Sequence, residues 1–217
     1  MKCDIDLQNY SYDCGECKLC KPESKKDYPF IKDLINSQNL VENLKVLIEG
    51  NTPFKCREPG EGEHENPDIE VYDLLTNQTI CRVEAKMLAS QAFMKSITTI
   101  GLLPKEALVV DEPKFLHYLR CKENDNAMRI NRKEIPIFIV WQWLRPCPDM
   151  YDTVVFQELS VLNGIYRQTG GRNFRRAVAN NDYVNGHRRG VIDKIHFSIK
   201  ECLPIEHLIP WINSLNT

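Results

Sequence analysis

The run IPIFIVWQWL, residues 135 to 144, has one polar side chain, Gln142, in ten positions. A strand with one wet face alternates polar and apolar residues, so a run this continuous predicts a strand buried on both faces at the centre of a sheet. At ten residues it falls well short of the roughly 20 that span a bilayer, and no other stretch comes closer, so no membrane association is expected. A strand buried on both sides needs a layer of structure on each face.

The rest of the chain supplies candidates for those layers. Leu40, Val41, Leu44, Leu47 and Ile48 recur at helical spacing, and Gly50 and Pro53 close the run, which predicts a helix over 40–49. Segment 55–67, KCREPGEGEHENP, reads as a loop. Ile69, Val71 and Leu74-Leu75, then the turn-forming TNQT, then residues 80–87, predict an antiparallel hairpin. Leu88, Phe93, Ile97 and Ile100 to Leu102 can form one face of a helix over 88–102. Further strands are expected at 107–110, 153–159 and 194–202. Helices are expected at 114–120 and over LPIEHLIPWINSL, the latter kinked at Pro210. The fold class is therefore α/β, a mixed central sheet flanked by helices.

With 217 residues, 42% of them hydrophobic and 27% charged, the chain can bury one core with a small appendage. Its N-terminus, MKCDIDLQNYSYDCGEC, lacks the apolar segment of a secretory signal, so a cytoplasmic protein is expected. In that reducing setting, nine cysteines point to metal ligation or buried thiols rather than disulfides. The net charge of -2 conceals two poles. Glu58 to Asp73 contains seven acids and no Lys or Arg; Arg167 to Lys194 contains seven bases against two acids.

The acidic pole includes the predicted hairpin. Asp68, Glu70 and Tyr72 share one face of its first strand, and Glu84 and Lys86 share one face of its second, because side chains alternate. Carboxylates converging from adjacent strands make an oxygen-rich site suited to Mg²⁺, with Asp68 and Glu84 as its ligands. Lys86, two residues on, would stand beside the ion, placed to hold a water or offset charge on a phosphate oxygen. In the alternative arrangement, Glu84 and Lys86 pair with each other and with Arg82 on a solvated sheet face.

Pro67-Asp68, followed by Glu84-Ala85-Lys86 within the apolar strand CRVEAKML, resembles the PD-(D/E)xK nuclease superfamily, to which most type II restriction endonucleases belong. The resemblance implies a restriction endonuclease-like core of helix, hairpin, helix and further strands. It also implies a Mg²⁺-dependent DNA hydrolase with catalytic residues Asp68, Glu84 and Lys86. The family often adds an acid from the first helix, for which Glu42 and Glu49 are the candidates.

Residues 1–28 read as a cysteine-rich, metal-binding extension of a nuclease core over 29–217. Cys14, Cys17 and Cys20 fall at two-residue spacing, with Cys3 as the expected fourth ligand and Cys56 and His64 in reserve. A thiolate set suits structural Zn²⁺. The same spacing, followed by Lys21-Pro22, also resembles iron–sulfur ligation, and some members of the superfamily carry a cluster. They usually place three cysteines beyond the core, which makes zinc the preferred reading here. Cys81, Cys121, Cys147 and Cys202 are expected to be buried thiols, and His117, His196 and His207 to be structural.

The basic segment 163–194 interleaves Arg, Asn, Gln and Gly with Tyr166, Phe174 and Tyr183. Arginine forks read guanine and grip phosphates, so Arg172, Arg175, Arg176, Arg188 and Arg189 are the expected contacts to double-stranded DNA. The combined expectation is a type II restriction-type endonuclease, working as a homodimer if it breaks both strands. The alternatives are a non-catalytic zinc module that binds nucleic acid or protein, and a repair or CRISPR-associated nuclease with an iron–sulfur cluster.

Overall fold

In a computed structural model of the chain, the structure describes residues 1–14, 30–60, 66–89, 93, 95–127, 134–170, 172–175, 183–184, 187–188 and 193–215. In chain order the elements are α1 (Phe30–Asn51), β1 (Lys55–Arg57), β2 (Ile69–Tyr72), β3 (Thr79–Leu88), α2 (Ser96–Ile100), β4 (Ala107–Asp111), α3 (Glu112–Ala127), β5 (Ile137–Trp143) and β6 (Val154–Glu158). They continue with α4 (Leu159–Gln168), β7 (Asn173–Phe174), β8 (Tyr183–Val184), β9 (His187–Arg188), β10 (Lys194–Ser198), β11 (Leu203–Pro204) and α5 (Leu208–Ser214).

The apolar run forms β5, and all seven of its residues are buried. It occupies an interior position in a six-stranded sheet of order β1-β2-β3-β5-β6-β11. β3 runs parallel to it and β6 antiparallel, so the sheet is mixed. The pleat sends Phe138 and Val140 to one face, where Leu40, Leu44 and Ile48 of α1 and Leu208 and Ile212 of α5 cover them. It sends Ile137, Ile139, Trp141 and Trp143 to the other, against Phe115 and Tyr118 of α3 and Leu159 and Leu162 of α4. Full burial of one such side chain stabilises by about 1.5–3 kcal/mol, so β5 anchors both halves of the core.

Several expectations change in three dimensions. The segment predicted as a helix over 88–102 begins instead as the end of β3. Leu88 is buried and paired in register with Trp143, because the parallel ladder to β5 continues that far. Among its described residues only Ser96–Ile100 are helical, and Ile97 is 56% exposed. The strand expected at 194–202 stops at Ser198, whose side chain caps a short 3₁₀ turn. It joins β4 and β7 in a separate three-stranded sheet rather than the central one. The Trp141 Nε1–H donates to the carbonyl of Val109 at 3.1 Å and fastens this second sheet to β5. Pro210 falls in the first turn of α5, where its missing N–H costs no helical hydrogen bond, and so introduces no kink. Among the described residues β8 and β9 pair with each other in a two-stranded sheet.

Residues 1–14 pack into the molecule rather than standing off it. Leu7 and Tyr12 belong to the same cluster as Trp141, Lys2 bridges to Thr153, and the amide of Cys3 donates to Glu206 at 2.8 Å. No described helix is long and apolar enough to cross a membrane.

Candidate active site

The hairpin of β2 and β3 turns where the sequence permits it. Asp73 Oδ1 accepts from the amides of Leu75 and Thr76 at 2.7 and 3.0 Å, and Asn77 takes the left-handed conformation, φ 53°, that Asn tolerates better than most residues. This turn sets the register in which Ile69 pairs with Val83. Asp68, one residue earlier, therefore stands level with Glu84, and its Oδ2 accepts from the amide of Ala85 at 2.8 Å. Val83 and Ala85 point into the core beneath α1; alternation aims Glu84 and Lys86 at the opposite face, towards α3.

Glu84 is 1% exposed. Its Oε1 receives the Lys86 ammonium in a close ion pair and lies 3.8 Å from Nζ of Lys114, in the first turn of α3. Among the described residues its other oxygen, Oε2, has no partner within hydrogen-bonding geometry, nor has the buried hydroxyl of Tyr118, although that hydroxyl lies close enough to Glu84 to interact with it as a donor. A buried carboxylate oxygen without a donor is costly, so an unmet one marks a place built for something else.

The electrostatics follow from burial and proximity. Burial, and then the charge of Glu84, push the Asp68 carboxyl up to about 6, against the opposing pull of the Ala85 amide, Lys86 and Lys114. Burial alone would lower Lys86, but the charge of Glu84 and its hydrogen bond, helped by Asp68 and Asp111, more than offset that and hold it above its ordinary value. Burial, reinforced by Glu84, keeps the Tyr118 hydroxyl firmly protonated.

The solvated-face alternative holds for the pairing of Glu84 with Lys86 and is corrected in its other two parts. Glu84 is buried, and Arg82 turns to Asp125 of α3 at 3.0 Å and to Glu70 at 3.1 Å. Glu70 is itself occupied by Arg57 at 2.6 Å and Thr79 at 2.7 Å, so it ties strands together rather than joining the acidic pair. The first-helix acids are engaged elsewhere. Glu42 pairs with Lys45 on the surface, and Glu49 accepts from the Cys56 amide at 2.8 Å, on the sheet face that α1 covers.

No protein-family model and no curated protein matches the chain. Among solved structures it is similar to a nuclease from a fusselovirus, at 10% identity and a TM-score of 0.45, over 87% of this chain and 96% of that one.

Among the described residues, no group of three or more His, Cys, Asp or Glu side chains is arranged to hold a metal ion. The acidic pair therefore offers two protein ligands, both oxygen. Two carboxylates, one with an unpartnered oxygen, fit a hard cation that completes its shell with water and substrate, as Mg²⁺ does. They do not suit zinc, which prefers nitrogen and sulfur.

The thiols expected to bind metal are only partly visible. Cys3 is half-buried with its Sγ 3.8 Å from the Ile5 carbonyl, and Cys14 is buried. Cys17, Cys20 and the reserve ligand His64 lie outside the described residues. Cys81, Cys147 and Cys202 are buried thiols, as expected, whereas Cys121 is half-buried with its Sγ 3.2 Å from His117 Nε2. His196 is buried, its Nδ1 3.1 Å from the Arg172 carbonyl, and His207 is exposed.

The basic segment begins beside the site. Asn173 and Tyr166 donate to Glu112, at the start of α3, at 2.8 and 3.0 Å, two residues from Lys114. Arg172 is committed to Glu201 by a two-pronged contact, each prong 3.0 Å, and serves the fold there. Arg175 is 62% exposed and 3.7 Å from Asp193. Arg188 lies in β9, with its side chain outside the described residues, as are Arg176 and Arg189 altogether.

Sequence reasoning missed Lys114 and Tyr118. Together with Asp125, they form a polar stripe at spacings of four and seven residues along α3, and it faces β3. The stripe is legible in the sequence, but nothing there tells which strand it faces.

Proposed function

We propose that the protein is a Mg²⁺-dependent nuclease that hydrolyses phosphodiester bonds in DNA at the site formed by Asp68, Glu84 and Lys86. The observation carrying this reading is the fully buried Glu84, with one oxygen gripped by Lys86, the other unpartnered, and a second carboxylate level with it across the hairpin. A stabilising ion pair needs no unmet oxygen, whereas a metal ligand does.

Asp68 and Glu84 would hold Mg²⁺, which when bound supplies Lewis-acid polarisation of a phosphate oxygen and acidifies a water. The Ala85 amide holds one oxygen of the Asp68 carboxylate, and the second would be left for the ion. Without metal, the charge of Glu84 holds Lys86 above its ordinary value, and at the site it would act as a hydrogen-bond donor and point charge. It orients the attacking water and offsets the negative charge that grows on the phosphate. The α3 face, with Tyr118 buried behind Glu84, keeps bulk water from the back of the site. In the reaction, the water oxygen bonds to phosphorus as one ester P–O bond breaks. One water proton ends on the leaving oxygen, and the other remains on the new phosphomonoester or passes to solvent.

The finer reading is a type II restriction-type endonuclease acting on double-stranded DNA, which as a cutter of both strands would work as a homodimer. Arg175 and the remaining arginines of the basic segment would carry the backbone contacts. The test is digestion of mixed plasmid and phage DNA by the wild type and by Lys86→Ala, each with Mg²⁺ and with EDTA. Discrete fragments that need both Mg²⁺ and Lys86 support the full reading. A smear with the same requirements supports a nuclease without sequence specificity. DNA left intact in every condition removes the catalytic reading.

A further inference from the structure

Two ammonium groups converge on one oxygen of Glu84, and they are not equivalent. Lys86 rises from β3, two residues from Glu84 on the same strand face, with its side chain 20% exposed and in close contact. Lys114 comes from a different element, stands off at 3.8 Å, and keeps 40% of its side chain in solvent. Without metal, two carboxylates (Asp68 and Glu84) face two lysines, a balanced set. A divalent ion at the acidic pair adds two positive charges, and each lysine is then repelled from Glu84. Lys86 is confined by its strand, whereas Lys114 has a flexible, partly solvated stem and can turn towards the mouth.

From this asymmetry we infer that Lys114 is the phosphate-binding residue of the site: released from Glu84 when Mg²⁺ binds, it grips a non-bridging oxygen of the scissile phosphodiester. A lysine suits this role because its ammonium is a compact charge with three donors that needs no fixed approach angle. The surroundings favour it. Phe115 and Tyr118, buried on the same helix, fix α3 against the core, so the base of Lys114 is rigid while its side chain is partly solvated and loosely paired. The basic segment meets α3 at Glu112 through Asn173, which puts Lys114 between the acidic pair and the surface expected to carry the nucleic acid. A substrate phosphate arriving there restores the charge balance that the metal upset.

The inference rests on the nuclease reading and is tested separately from it, with full-length Lys114→Gln and Lys114→Arg. Single-turnover cleavage by Lys114→Gln should be slowed about 10²-fold, the usual cost of losing one donor to developing charge, and Lys114→Arg should recover most of it. Duplex DNA binding is measured in Mg²⁺ in a Lys86→Ala background, where cleavage does not interfere. There, adding Lys114→Gln should reduce the slope of log affinity against log salt by about 0.9, one phosphate contact. Mg²⁺ binding, read from the rise in melting temperature, should be unchanged or stronger, since a competing cation is gone. A melting temperature that drops while cleavage and salt slope stay at wild-type values makes Lys114 a structural ion-pair partner and overturns the inference alone. A wild type that cleaves nothing overturns the nuclease reading, and this inference with it.

Discussion

Asp68 accepts a hydrogen bond from the backbone amide of Ala85 at 2.8 Å, across the hairpin and between the two other residues of the site. The bond holds one oxygen of a carboxyl that feels the charge of Glu84, so a main-chain group does the positioning that would otherwise need a further side chain. It also means that substitutions at Asp68 and at Glu84 are coupled, because the two carboxylates share one strand register.

The raised Asp68 carboxyl has a direct consequence for stability. Its folded pKa of about 6 exceeds the ordinary 3.8, so between these values the native state binds a proton that the unfolded chain does not. Without metal, stability from this group falls as pH rises from about 4 to about 6, by roughly 3 kcal/mol in all, and is level above that. Urea titrations of Asp68→Asn in EDTA should therefore show an advantage over the wild type that is small at pH 4 and full above pH 6.5. An advantage independent of pH would mean that burial does not shift this carboxyl.

Metal should reverse that cost. Mg²⁺ favours the ionised carboxylates, so it should raise the wild-type melting temperature by several degrees at pH 7.5 and leave Asp68→Asn unmoved. Lowering the pH through 6 should weaken the Mg²⁺ effect, and with it cleavage at subsaturating Mg²⁺, because a protonated Asp68 is no ligand. Equal shifts in both proteins would place the ion elsewhere.

Lys86→Ala should cost both activity and stability. Removing one partner of a buried pair leaves the other charge uncompensated, typically at about 3–5 kcal/mol, with Lys114 recovering part of it. Cleavage should fall at least 10²-fold. Mg²⁺ should restore most of the lost melting temperature, because the ion replaces the missing positive charge beside Glu84. A variant destabilised to the same extent with and without Mg²⁺ would show that the ion and Lys86 do not share Glu84.

Arg82 joins the hairpin to α3 through Asp125 and to Glu70 within the hairpin. With 18% of its side chain exposed, Arg82→Ala should destabilise by about 2–4 kcal/mol in urea unfolding, mainly by stranding Asp125, since Glu70 keeps Arg57 and Thr79. Since α3 carries Lys114, cleavage should slow even where the variant is fully folded. Unchanged cleavage at full folding would mean that the helix is held in place without this bridge.

Much of this arrangement is written in local sequence. The apolar run of 137–143, interrupted by Gln142 alone, predicts a strand covered on both faces, since a wet face would alternate polar residues into it, and β5 is that strand. Alternation along CRVEAKML puts Glu84 and Lys86 on one face whatever surrounds them, because it is a property of the extended backbone. The turn chemistry of Asp73 and Asn77 sets the hairpin that brings Asp68 level with Glu84.

What local pattern could not decide was which face of the hairpin would be covered, and by what. Glu84 and Lys86 admit a solvated pair as the alternative until α3, some thirty residues later, closes over them with Lys114 and Tyr118. The fate of Leu88 and of β10 was likewise settled by long-range pairing: one joined the ladder to β5 and the other left the central sheet for β4. Side-chain alternation and turn preference act over a few residues and are legible in order. Burial depends on contacts between segments far apart in the chain, and burial is what made a short acidic motif into a site with an unmet oxygen.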